Sequence, residues 1–83
     1  MIFPVVVDVT LREGIADPEG ATIERALPAL GFSGVHHLQA GRTFRFDVEA
    51  DDEARALATA RALAERLLSN PVIEQTSVRM GDA

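Results

Sequence analysis

The chain has 83 residues, 47% of them apolar, and carries 13 acidic against 8 basic side chains for a net charge of −5. One short domain, or part of a larger assembly, is all that length allows. About 60% of the unfolded surface is buried at this size, so the core is thin and a partner is favoured. The acidic balance disfavours a phosphate-binding face, and four Phe without Tyr or Trp offer no platform for stacking bases.

All basic residues are Arg, and Cys is absent. A lysine Schiff base, a Cys nucleophile, a disulfide and a thiolate metal site are thereby excluded. The opening MIFPVVVDVT has no basic region and reaches Asp8 too early for a secretory signal. No run approaches the ~20 apolar residues of a membrane span, so a soluble, cytoplasmic protein is expected.

In chain order, Val5, Val7, Val9 and Leu11 alternate with Val6, Asp8, Thr10 and Arg12, the period of a half-buried strand. A loop around Gly14 leads to Asp17-Pro18, where a carboxylate can cap free N–H groups and proline suits the first helical position. Ile23, Ala26, Leu27 and Leu30 then form one helical stripe, closed by Gly31. Pro28 lies inside that stripe and predicts a bend or a tight last turn. Val35–Ala40 reads as extended, Gly41-Arg42 as a reversal, and Phe44, Phe46, Val48 and Ala50 as the alternating apolar side of the next strand. Together these predict a hairpin.

Asp51 and Asp52 open a second helix, with negative charge at its positive end. Leu57, Ala60, Ala64 and Leu67 are its predicted inward stripe. Leu68 ends it, Asn70 is suited to a left-handed cap, and Pro71 blocks continuation. Val72–Met80 is the last strand. The expected fold is α+β: a β-α-β-β-α-β order, an open antiparallel-rich sheet with two helices on one face, a single domain over 1–80 and a frayed tail at 81–83.

Given that order, "DPEGATIERAL" (17–27), "LGFSGV" (30–35), "AGRTFRFDVEADD" (40–52) and "AERLLSNPVIEQTSV" (64–78) resemble the PurS-type small subunit of phosphoribosylformylglycinamidine synthase. The similarity spans nearly the whole chain; the combination of "DPxG", "GR" and "LLxNPVIE" at this length is specific. The family's usual Gly-Lys stands here as Gly41-Arg42. Pro28 and the lack of a cysteine in the second helix depart from the family pattern. The resemblance implies a non-catalytic subunit of an ATP- and glutamine-dependent ligase of de novo purine synthesis. It implies a homodimer or homotetramer that joins a glutaminase to a large ligase subunit and supports ammonia transfer. ATP and magnesium would belong to the ligase, with no cofactor in this chain.

The residues themselves offer no catalytic or metal constellation. His36 and His37, adjacent on a predicted strand, would point to opposite faces and cannot grip one ion. The run Glu49–Glu53 lacks a glycine-centred loop and reads as helix-cap charge. Gly14 and Gly20 are too far apart for a phosphate cradle, and Ser33 lacks a nucleophile elbow. Gly41-Arg42 serves as a hairpin tip or offers an exposed guanidinium to a partner's carboxylate. Asn70-Pro71 serves folding first and a partner second: folding explains its chemistry, and the resemblance makes the neighbouring edge strand a candidate assembly surface. Gly41, Arg42, Asn70 and Pro71 are therefore the candidate partner interface. A stand-alone regulatory dimer binding a small metabolite is the alternative function.

Overall fold

The computed structural model describes residues 1–82. Its strands are β1 (Ile2–Leu11), β2 (Gly41–Glu49) and β3 (Glu74–Met80), and its helices α1 (Pro18–Ala26) and α2 (Glu53–Leu63). The sheet order is β2-β1-β3, antiparallel throughout, with Val7 facing Phe44 on one side and Val78 on the other. An antiparallel sheet with two helices agrees with the expected α+β class. Among the described residues no helix is long and apolar enough to cross a membrane.

The alternation of β1 sets the core. Val5, Val7 and Val9 turn to one face and are almost fully buried, together with Val48, Ala56, Ala60 and Ala64. Phe3, Phe44, Phe46, Leu68 and Val78 pack around them, half-buried. Three alanines at i, i+4 and i+8 let α2 lie close against the valines. Val6, on the opposite face, is also buried at 2% exposure, with Arg45 and Arg79 facing it from the two neighbouring strands. Long arginine stems can cover apolar surface there while their charges stay in water.

Four expectations need correction. The Val35–Ala40 strand does not form, so the sheet has three strands and Gly41-Arg42 opens β2 instead of tipping a hairpin. Gly34 and His37 take positive φ (81° and 58°), which breaks an extended run. The N–H groups of this segment go to side chains: Leu38 donates to Glu24 Oε1 (2.7 Å) and Ala40 to Asp17 Oδ2 (2.9 Å). His36 and His37 therefore sit on an exposed loop, not a strand.

The second correction concerns the helices: only α2 covers the sheet, whereas α1 stands to one side and buries only Gly20. The third is the inward stripe of α2. Ala56 replaces Leu57 in the core, and Leu67 is 74% exposed. A π-helical turn at Ala64–Leu68 holds one residue more per turn and brings Leu68, not Leu67, to the sheet. Finally, Asn70 is not left-handed; the helix ends at Ser69 in an extended conformation, with Ser69 Oγ donating to the Ala64 carbonyl (2.8 Å).

Pro28 splits the first helix. The α-helix stops at Ala26, a 3-10 turn follows at Pro28–Leu30, and Gly31 closes it at φ 88°. Asp17 caps the start, its Oδ1 accepting from Gly20 N–H at 2.9 Å. At the far end of the chain, the Gly81 N–H donates to the Pro4 carbonyl (2.8 Å). Ala83, the last residue of the expected tail, lies outside the described residues.

Candidate functional site

The four residues singled out by sequence gather at one end of the sheet. Gly41 opens β2 opposite Thr10, where a Cβ would come within 2.8 Å of the Val9 carbonyl oxygen. A side chain larger than hydrogen has no room there. Arg42, next along, reaches across β1 to the other edge strand: its Nη2 donates to both carboxylate oxygens of Glu74, at 3.0 and 2.8 Å. The guanidinium also lies 5.7 Å from the Phe44 ring centre, within cation–π range.

Glu74 ties this arginine to the Asn70-Pro71 turn. Asn70 N–H donates to Glu74 Oε1 (2.7 Å), while the Asn70 carbonyl accepts from the N–H groups of Ile73 and Glu74. Asn70 Oδ1 accepts from Val72 N–H at 3.1 Å, an Asx turn in place of the expected helix cap. The Pro71 carbonyl accepts from Arg12 Nε at 3.0 Å, which clamps the turn to the end of β1. The Asn70 N–H bond above all, with Arg42 adding to it against a partial loss of hydration, holds the Glu74 carboxyl below its usual range. Glu74 is thus charged at neutral pH, and Arg42 is a positioned cation whose side chain remains 54% exposed. This corner can present guanidinium donors to a carboxylate on another chain.

Glu74 and Arg12 were missed by the sequence reading. The spacing Asn70-x-x-x-Glu74 was the available signal, because a carboxylate four residues after a turn-former can close back on its N–H. Arg12 carried none; its partner is 59 positions away in sequence.

Beside this corner stands the arm formed by α1 and the segment that follows it. Its apolar stripe is open to solvent: Ile23 is 41% and Leu30 69% exposed, and beyond them Phe32 is 57% and Val35 43%. Asp17 holds the arm together with both oxygens, one on Gly20 N–H and one on Ala40 N–H. Those two bonds, Gly20 first, lower its pKa. The arm is ordered yet uncovered.

Residues 4–82 match the family model described as PurS: phosphoribosylformylglycinamidine (FGAM) synthase. The chain is 40% identical over 70 residues to the phosphoribosylformylglycinamidine synthase subunit PurS of Archaeoglobus fulgidus, covering 84% of this chain and 88% of that one. It resembles the crystal structure of the purS subunit from Thermotoga maritima with a TM-score of 0.91 at 34% identity, over 98% of this chain and 93% of that one. A chain in the structure of PurLQS from Thermotoga maritima matches with a TM-score of 0.90 at 34% identity, over 98% and 99% of the two chains. By sequence and by fold, the chain belongs to the PurS family of phosphoribosylformylglycinamidine synthase.

Proposed function

We propose that this chain is the non-catalytic assembly subunit of a cytoplasmic phosphoribosylformylglycinamidine synthase. The complex converts formylglycinamide ribonucleotide, ATP and glutamine to formylglycinamidine ribonucleotide in de novo purine synthesis. The chain acts as a homodimer or homotetramer that joins a glutaminase to a ligase subunit, and ATP with magnesium acts in the ligase. The observation that carries this reading is the near full-length likeness to a chain of PurLQS. The shape of the subunit supports it. Its radius of gyration is 16.1 Å, against about 12 Å for a compact chain of this length. Its accessible surface is 6069 Å², against roughly 4,800 Å² for a compact protein of this mass. Surplus surface on that scale is what an assembly covers.

Chemically, the glutaminase half-reaction has no home for its usual nucleophile here, since the chain has no Cys, and the nucleophile of the ligase half-reaction is the ammonia itself. Ammonia released into neutral water is mostly protonated, and ammonium cannot attack an activated amide. A subunit that holds two catalytic proteins in register therefore affects the rate without touching the substrate. The test is reconstitution with glutaminase and ligase subunits, driven once by glutamine and once by high ammonia. Omitting this chain is expected to depress the glutamine-driven rate far more than the ammonia-driven one. Equal rates with and without it would sink the assembly role.

A further inference from the structure

The turn from Asn70 to Glu74 is tied down at several points, yet it shows apolar side chains to water. Arg12 reaches it twice, through its backbone N–H to the Ile73 carbonyl (2.8 Å) and through Nε to the Pro71 carbonyl (3.0 Å). The Glu74 carboxylate holds the Asn70 N–H, and Asn70 Oδ1 holds the Val72 N–H. Inside this frame Val72 is 81% exposed. Leu67 stands just before the turn and is left in water because the π-helical turn sends Leu68 to the sheet in its place. Ordering a loop costs conformational entropy, and fixing Val72 in water returns nothing to the monomer. A side chain already fixed loses less freedom on binding, which suits it to anchor an interface.

The surroundings of the turn are basic in a chain that is acidic overall, with a net charge of −5. Arg12 and Arg42 flank it through the bonds already described, and Arg66 directly precedes Leu67. Among the described residues neither Arg12 nor Arg66 forms an ion pair, even with the adjacent Glu13 and Glu65. Glu74, whose carboxylate is bonded to the turn, is spent on Arg42 and the Asn70 N–H. We propose that Val72 and Leu67 are the apolar anchors by which this chain docks a catalytic subunit, in an apolar pocket bordered by carboxylates. This rests on the assembly role proposed above and gives it a surface. Guanidinium groups at the rim suit carboxylates, which they can hold through two parallel bonds. A second copy is the wrong occupant. A two-fold contact uses the same patch on both chains, so this corner against itself would set arginine against arginine, and like charges across an interface repel.

The test titrates the full chain into fixed glutaminase and ligase subunits and reads the concentration that gives half of the maximal glutamine-driven rate. Val72→Asp and Leu67→Asp are each expected to raise that concentration by about tenfold or more, because each carries a charge into an apolar pocket. Arg66→Glu touches none of the turn's hydrogen bonds. It is expected to raise the half-saturating concentration about threefold or more at low salt and little at high salt, as a rim charge does. Sedimentation equilibrium and urea melts of the same variants should match the parent, which separates docking from self-association and from folding. Half-saturation unmoved by all three changes, in a complex that needs this chain, would overturn the docking face and leave the assembly role standing. Loss of self-association in Val72→Asp would also overturn it, by showing the turn to be a contact between copies. Should an Asp variant melt early, Leu67→Ala and Arg66→Glu decide in its place, and a parent-like titration of both overturns the proposal. A rate indifferent to the chain itself would overturn the assembly role as well.

Discussion

Asp17 shows how much one carboxylate can hold. A sequence reading gives its N-cap role, since Asp before Pro at a helix start has a clear physical purpose. Its second bond, to Ala40, was not legible, because it depends on a segment that folds back from 23 positions away. Its pKa is lowered by the Gly20 and Ala40 N–H bonds, and that fixes the sign of a pH effect. A depressed folded-state value stabilises the protein above the unfolded value, about 3.9, and that contribution is lost as pH falls through the folded value. Urea midpoints followed from pH 7 down into that range should therefore fall less steeply for Asp17→Asn than for the parent, with the variant the weaker protein at neutral pH. Parallel curves would show that the charge does not matter. Gly20 is the steric counterpart: a Cβ there would lie 2.7 Å from the Leu38 carbonyl and 2.5 Å from Asp17 Oδ2. Gly20→Ala should cost about 1–3 kcal/mol in a urea melt, despite the better helix propensity of alanine.

Among the elements, β1 and the start of α2 were the most legible. Alternation of Val5, Val7 and Val9 marks a strand and its core face, though Val6 is buried on the other face as well, and the Asp52 side chain accepts from Arg55 N–H at 2.8 Å as a helix cap should. The inward stripe of α2 was misread because size was weighed over approach: alanines, not leucines, touch the valines. Ala60→Leu should accordingly push α2 off the sheet and lower the thermal midpoint, at a cost of about 1–3 kcal/mol. Leu67→Ala, on a largely exposed side chain, should change it little, within about 0.5 kcal/mol. Differential scanning calorimetry of the pair checks both. The Val35–Ala40 segment was misread for another reason: its apolar residues suggested a strand, while the carboxylates that claim its N–H groups lie at the start of α1 and within it. Of the candidate site, the four residues were legible by type and the clamp that unites them was not, because Arg12–Pro71 and Arg42–Glu74 are pairings set by the sheet.

As a whole molecule, the subunit is 51 Å long but only 15 Å thick, and a monomer so thin leaves its arm and its sheet edge in water. At micromolar concentration, sedimentation equilibrium should show a species of at least twice 8.9 kDa; a monomer alone would contradict the oligomeric reading. The ladder adds a different consequence. Thr10 faces Gly41 at the last β1–β2 pair, and Leu11 and Arg12 are still held by the β3 side, so everything from 13 to 40 departs from and returns to one end of the sheet. In topological terms β1 and β2 are a hairpin carrying a large insert, and loop-closure entropy grows only slowly with the length of such an insert. The insert is therefore free to lengthen, shorten or change its apolar stripe while the three strands and α2 keep their register. One part of the chain specifies a fold, and another, grafted at a single seam, can be rewritten for whichever neighbour it meets.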